Sequence, residues 1–260
     1  MGENLILYPK DLNFESLKSV EDAYAKISNI KVDDVDLVNP DKQHEDLIAK
    51  ITRSYNQAKE VLESYKLTCP DLLLFLGPSY FDGHSVVFNK NNAITFLDLE
   101  VIDYHYQCSG FMPLVHMVHE LIHSLHYSMN KPFALQNIGN DKYNLLRHCI
   151  SEGLATYYSR VMTQDKFDSY WFGLFPKDDV SHWLEDCEDQ FRADLQLVLQ
   201  NEMSVEDQLF SVESNEVSWR RAYHHGSVIV DRSLNKADFD KTCSMTVDDW
   251  LEEILQYIDT

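Results

Sequence analysis

Residues 115–127 read VHMVHELIHSLHY, which places four histidines, His116, His119, His123 and His126, within eleven positions of an otherwise apolar run. Their steps of three, four and three put all four on one face of a helix. Pro113 just ahead suits a first helical turn, and no glycine or proline interrupts the chain from Leu114 to Met129. An imidazole is costly to bury without a partner. A buried segment carrying four of them therefore implies a use for at least some.

Within this run lies His119-Glu120-Leu121-Ile122-His123. On a helix, residues i and i+4 differ by about 40° around the axis and about 6 Å along it, so both imidazoles reach one ion. Neutral imidazole nitrogen suits zinc, and a glutamate after the first ligand can act as general base on a bound water. The same spacing arises by chance in roughly a few per cent of chains this long and histidine-rich, so its surroundings decide. Here the intervening residues are uncharged, and burying Glu120 without a partner would cost several kcal/mol.

A catalytic ion needs a third protein ligand. Glu152, in HCISEGLATYYSRV, lies in a second helical pattern after a segment long enough to return the chain to the first helix. Asp141, His148 and Asp103 are weaker alternatives. His116 and His126, one turn outside the ligand pair, are expected to support it or to pack.

These residues resemble the gluzincin-type zinc metallopeptidases, in which two helix histidines and a downstream helix glutamate bind zinc. The Glu152-Gly-Leu-Ala form is particularly similar to little-characterised bacterial predicted zinc-dependent proteases. The likeness extends over about residues 70 to 235. It implies one Zn2+ held by His119, His123 and Glu152, with Glu120 as base. It also implies a polypeptide substrate, with an edge strand, taken as NNAITFLDLEVI, pairing with it. Tyr223 and Gly226 in AYHHGSVIVDRSL resemble a Tyr-x-x-Gly segment whose tyrosine stabilises the oxyanion, a task His224 or His225 could take instead. Two departures stand out. Thr156 occupies the position of an aspartate that orients a ligand histidine, and no Gly-x-Met-Glu-Asn motif precedes the metal helix. The second favours an endopeptidase over an aminopeptidase. A zincin-fold interaction protein without activity is a further alternative.

Composition bounds the partners. The chain has 22 basic and 43 acidic residues and a net charge of −21. Such a surface repels phosphate, so neither nucleic acid nor an anionic membrane is an expected partner. Five scattered cysteines (Cys69, Cys108, Cys149, Cys187, Cys243) form no C-x-x-C pair. They read as reduced thiols in a cytoplasmic, monomeric protein without signal peptide or membrane span. Export by a route that leaves no N-terminal signature stays open.

The element pattern predicts an α/β (α+β), zincin-like fold: a small mixed β-sheet over the active-site helix, with a mainly helical C-terminal half. Strands are expected at 72–76, 85–88 and 93–102. Helices are expected at about 41–66, from 112, and at 142–162, 181–200, 204–211, 217–233 and 246–258. Thr246 with Asp249 and Ser204 with Asp207 read as N-caps. A polar stretch near residue 165 suggests two parts. Residues 1–165 would carry N-terminal helices, the small sheet and the zinc-binding helices, and 166–260 a helical subdomain closing the cleft.

Overall fold

The computed structural model describes residues 5–78, 83–87, 92–107, 112–137, 142–166, 175, 177–210, 220–233 and 238–258. It is a mixed α/β structure with one small sheet. Strands β1 (Ile6–Leu7), β2 (Leu72–Phe75), β3 (Gly83–Val87) and β4 (Ala93–Asp98) are ordered β1-β2-β4-β3. The first three in that order are parallel, and β3 runs antiparallel to β4 at the edge. The strand expected at the edge, β4, is therefore interior, and β3 holds the edge. At Val87 that edge is met by Gln136, whose amide accepts from Val87 N at 2.7 Å and donates to Val87 O at 2.9 Å.

Strand alternation assigns the two faces. Leu73, Phe75, Ile94 and Phe96 pack with Val20 and Tyr24 of α1 (Phe14–Ile27). Leu72, Leu74 and Leu97 face the larger core. That core includes α2 (Glu45–Ser64), α4 (Pro113–Met129) and α5 (Asn144–Thr163), and it draws residues from Ile51 to Ile254. N-terminal helices were expected without bounds before residue 41, and α1 is one of them.

The expected strand to residue 102 stops at Asp98, because α3 (Leu99–Gln107) begins there. Asp98 Oδ1 accepts the Glu100 amide at 3.1 Å and turns the chain into the helix. His105 lies buried in α3. The helix expected to run to Lys66 ends earlier, at Ser64. Lys66 takes a left-handed φ of 63°, and Leu67 N reaches back to Leu62 O at 3.0 Å. Its first turn, Lys42–His44, is a tight 3-10 turn.

The C-terminal half contains α6 (Lys177–Gln200), α7 (Glu206–Phe210), α8 (Ala222–Ser233), α9 (Phe239–Cys243) and α10 (Val247–Ile258). Thr246 and Asp249 form the expected reciprocal cap of α10, at 2.7 Å and 3.3 Å. Ser204 does not cap α7 through Asp207; it lies in a 3-10 turn and bonds Glu202 instead. No described helix is long and apolar enough to cross a membrane.

Candidate metal centre

Helix α4 is buried on all sides from Val115 to Ser124, so its polar groups meet other protein elements. His119 and His123 project toward Glu152 on α5. The Nε2 atoms of His119 and His123 lie 3.1 Å apart, and Glu152 Oε2 is 3.2 Å from the first and 3.3 Å from the second. All three residues are buried. A tetrahedral ion with bonds of about 2.0–2.1 Å has its ligand atoms about 3.3–3.4 Å apart. The three atoms thus already stand at close to the spacing of one face of such a tetrahedron, and this buried His-His-Glu group could hold a metal ion.

The protonation states suit a cation. Burial pushes the His119 imidazole down to about 3, against the pull of Glu152, so the ring is neutral and its lone pair available. Burial alone would raise the Glu152 carboxyl, but His123 and the hydrogen bonds from both imidazoles outweigh it and hold the group well below the ordinary carboxylate range. His123 Nδ1 lies 3.2 Å from Ser151 Oγ, which is 2.7 Å from the Tyr127 hydroxyl. A metal would take the place of the proton that His123 Nε2 shares with Glu152, and Nδ1 donating to Ser151 would then leave Nε2 as the ligating atom. Ser151 is thus placed to orient a candidate ligand imidazole. Thr156 has its hydroxyl buried with no hydrogen-bond partner among the described residues.

Glu120 is 2% exposed, with its Oε1 3.7 Å from His116 Nε2. Gly83 makes room for it: a Cβ there would lie 2.9 Å from Glu120 Cδ. His148 lies 3.7 Å from Glu152 Oε1, away from the shared oxygen, and stacks on Phe210 at 3.7 Å between centroids. It buttresses the carboxylate. Asp103 is exposed and accepts from Gln107, while Asp141 falls outside the described residues. His126 packs on Phe133 and Tyr127 with both ring nitrogens buried and no hydrogen-bond partner among the described residues.

Helix α8 closes on α5 through two glycines. A Cβ on Gly153 would lie 2.2 Å from the Gly226 carbonyl carbon, and one on Gly226 would lie 2.2 Å from Cys149 O. Only hydrogen fits at this crossing. It brings α8 against the helix that carries Glu152, and the Tyr223 ring stacks on His119 at 6.1 Å and 24°. The three groups considered for the oxyanion therefore separate. His225 turns to Asp194 of α6 at 2.8 Å, and His224 packs beside Trp183. Tyr223 is the one of the three seen stacked on His119, and Arg220 lies over its ring at 4.2 Å.

Sequence reasoning missed Ser151, Tyr127, Gly83 and the Asp194–Arg221–His225 group. Ser151 sits beside Glu152, but its partner Tyr127 is 24 residues away, so no local pattern announces the pair. Comparison of the chain with family models, with curated proteins and with solved structures gives no match.

Proposed function

We propose that this chain is a zinc-dependent metallopeptidase of zincin-like fold, acting as an endopeptidase on polypeptide substrates. The observation that carries the reading is the triangle of His119 Nε2, His123 Nε2 and Glu152 Oε2, with sides of 3.1–3.3 Å. Two neutral imidazoles and one carboxylate are a donor set suited to zinc, and Glu120 follows the first ligand directly. Zinc would supply Lewis acidity, lowering the pKa of water toward neutrality and polarising a carbonyl.

The chain's own residues divide the remaining work. Glu120 takes the proton of the attacking water and returns it to the departing amine. Tyr223 donates its hydroxyl to the oxygen on which negative charge develops, a contribution worth about 3–4 kcal/mol in comparable sites. Ser151 and Tyr127 hold His123 in the ligating tautomer, and His148 steadies the outer oxygen of Glu152. The acidic surface disfavours nucleic acid and anionic lipid as partners, and we read the protein as a cytoplasmic monomer.

Metal analysis of the purified protein tests the first half, with one zinc per chain expected. The Glu120→Gln variant tests the second: it should keep the zinc and lose at least about 100-fold in hydrolysis of an unfolded protein substrate. A protein that takes up no zinc, or a variant that retains hydrolysis, overturns the proposal. New chain termini generated in a proteome by wild type and not by Glu120→Gln would identify the substrates.

A further inference from the structure

The Glu120 carbonyl is held from the sheet side by two hydroxyls, with a third on α4 bracing them. Its backbone carbonyl accepts from Ser85 Oγ of β3 at 3.0 Å and from Thr95 Oγ1 of β4 at 3.1 Å. Ser124 Oγ lies 2.8 Å from Thr95 Oγ1 and 2.9 Å from Ser85 Oγ. Ser85 is 2% exposed, and Thr95 and Ser124 are fully buried. Two of the three hydroxyl protons go to one carbonyl and the third to a neighbouring hydroxyl, so the cluster satisfies itself. One turn further along α4, Ser128 Oγ donates to Ser124 O at 2.8 Å and accepts from Ala93 N at 3.1 Å.

Apolar contacts alone would bury this side of α4, and they are non-directional. Hydrogen bonds to one carbonyl are directional and set both the rotation of the helix and its depth on the sheet. That matters for a side chain that must be aimed. A rotation of about 10° moves an atom about 6 Å from the helix axis by about 1 Å, beyond the ~0.5 Å that a catalytic group tolerates. Gly83, two residues before Ser85 on the same strand, leaves the space into which the Glu120 carboxylate fits.

We infer that Ser85, Thr95 and Ser124 are positioning residues for Glu120, fixing its carboxylate against β3 and toward the His119–His123–Glu152 centre. The inference rests on the proposed role of Glu120 as general base. It separates two functions by their partners. The metal site joins α4 to α5, whereas the hydroxyl cluster joins α4 to the β3–β4 pair. His119 and His123 turn with the same helix, but a bound ion would tie them to Glu152 of α5, so loosening the cluster should disturb the aim of Glu120 more than it disturbs metal affinity.

The test is a double-mutant cycle on the zinc-loaded protein. A small alkyl hydroxamic acid serves as probe, because it chelates zinc and needs the neighbouring base to take its proton. Zinc affinity is measured by competition with a chromophoric chelator, and hydroxamate affinity by calorimetry. Thr95→Val removes the donor at nearly constant volume, and Thr95→Ser restores a hydroxyl. Thr95→Val should leave zinc affinity within about threefold and weaken the hydroxamate by about tenfold, with Thr95→Ser near wild type. In a Glu120→Gln background, Thr95→Val should cost the hydroxamate nothing further, because the group it positions is gone. Unchanged hydroxamate affinity in Thr95→Val overturns the inference, as does an equal loss in both backgrounds. Ser85→Ala carries the same cycle should Thr95→Val not fold. Failure of the wild type to bind zinc removes the functional reading itself and this inference with it. Zinc binding with an additive cycle removes only the inference.

Discussion

Gly153→Ala sets two effects of opposite sign against each other. Both lie in a helix, where alanine is favoured over glycine by about 1 kcal/mol. On propensity alone the substitution stabilises. At the crossing of α5 and α8, however, the new methyl would lie 2.2 Å from the Gly226 carbonyl carbon and 2.4 Å from its Cα. Both contacts are with backbone, so no side chain can swing away. Ordinary contact begins near 3.4 Å, and the two helices would have to part by more than an ångström. Overpacking of a close-packed interior costs about 1–3 kcal/mol, and backbone against backbone belongs at the upper end. The net expectation is a loss of about 2 kcal/mol, or about 4–8 °C in Tm for a chain of this size. Urea unfolding followed by far-ultraviolet circular dichroism gives the first number and a thermal scan the second. Because Glu152 adjoins Gly153, metal affinity should fall in the same variant. A Gly153→Ala protein as stable as wild type, or more so, would show that the helices are not held at this distance and would refute the reasoning.

Two further outcomes follow from buried groups. Burial pushes His126 down to about 3, whereas the unfolded chain titrates near 6.5. Its contribution is therefore whole above pH 6.5 and declines as pH falls toward 3, because only the unfolded chain then takes the proton, by about 1.4 kcal/mol per unit. The pH dependence of unfolding in wild type and His126→Leu should diverge by that slope between pH 4 and 6; parallel curves would contradict it. Asp194 is 1% exposed and bonds Arg221 Nη2 at 2.9 Å, Arg221 Nε, and His225 Nε2 at 2.8 Å. Asp194→Asn leaves the buried guanidinium without its counter-charge and should cost about 3–5 kcal/mol in urea unfolding; a loss below about 1 kcal/mol would mean that the network contributes little.

How much was legible in the sequence depended on the range of the signal. The metal helix was, because His119, Glu120 and His123 lie within one turn and helix geometry relates them without help from the rest of the chain. Glu152 was reached through its helical setting and the resemblance of Glu152-Gly-Leu-Ala, and the fold brings its Oε2 to the two histidines. The longer helices from 144 onward were legible because apolar spacing repeats locally, whereas the short α9 (Phe239–Cys243) was not anticipated. Strand β4 was read too long, since Leu99 to Ile102 look like strand residues until the Asp98 side chain is seen to accept the Glu100 amide at the start of α3.

The sequence by itself determined that one helix would present two imidazoles and a carboxylate on neighbouring positions, and that helices would dominate after it. Tertiary structure decided what those groups meet. That β3 and not β4 forms the edge depends on pairings across the sheet. Tyr223 reaches His119 while His225 turns away to Asp194 because Gly153 and Gly226 let α8 lie against α5. Ser85 and Thr95 meet at the Glu120 carbonyl, with the Ser124 hydroxyl bonded to both of theirs, although up to 39 residues separate the three. Backbone periodicity is a local property and leaves a mark in every turn, whereas a contact between distant segments leaves none until the chain has packed.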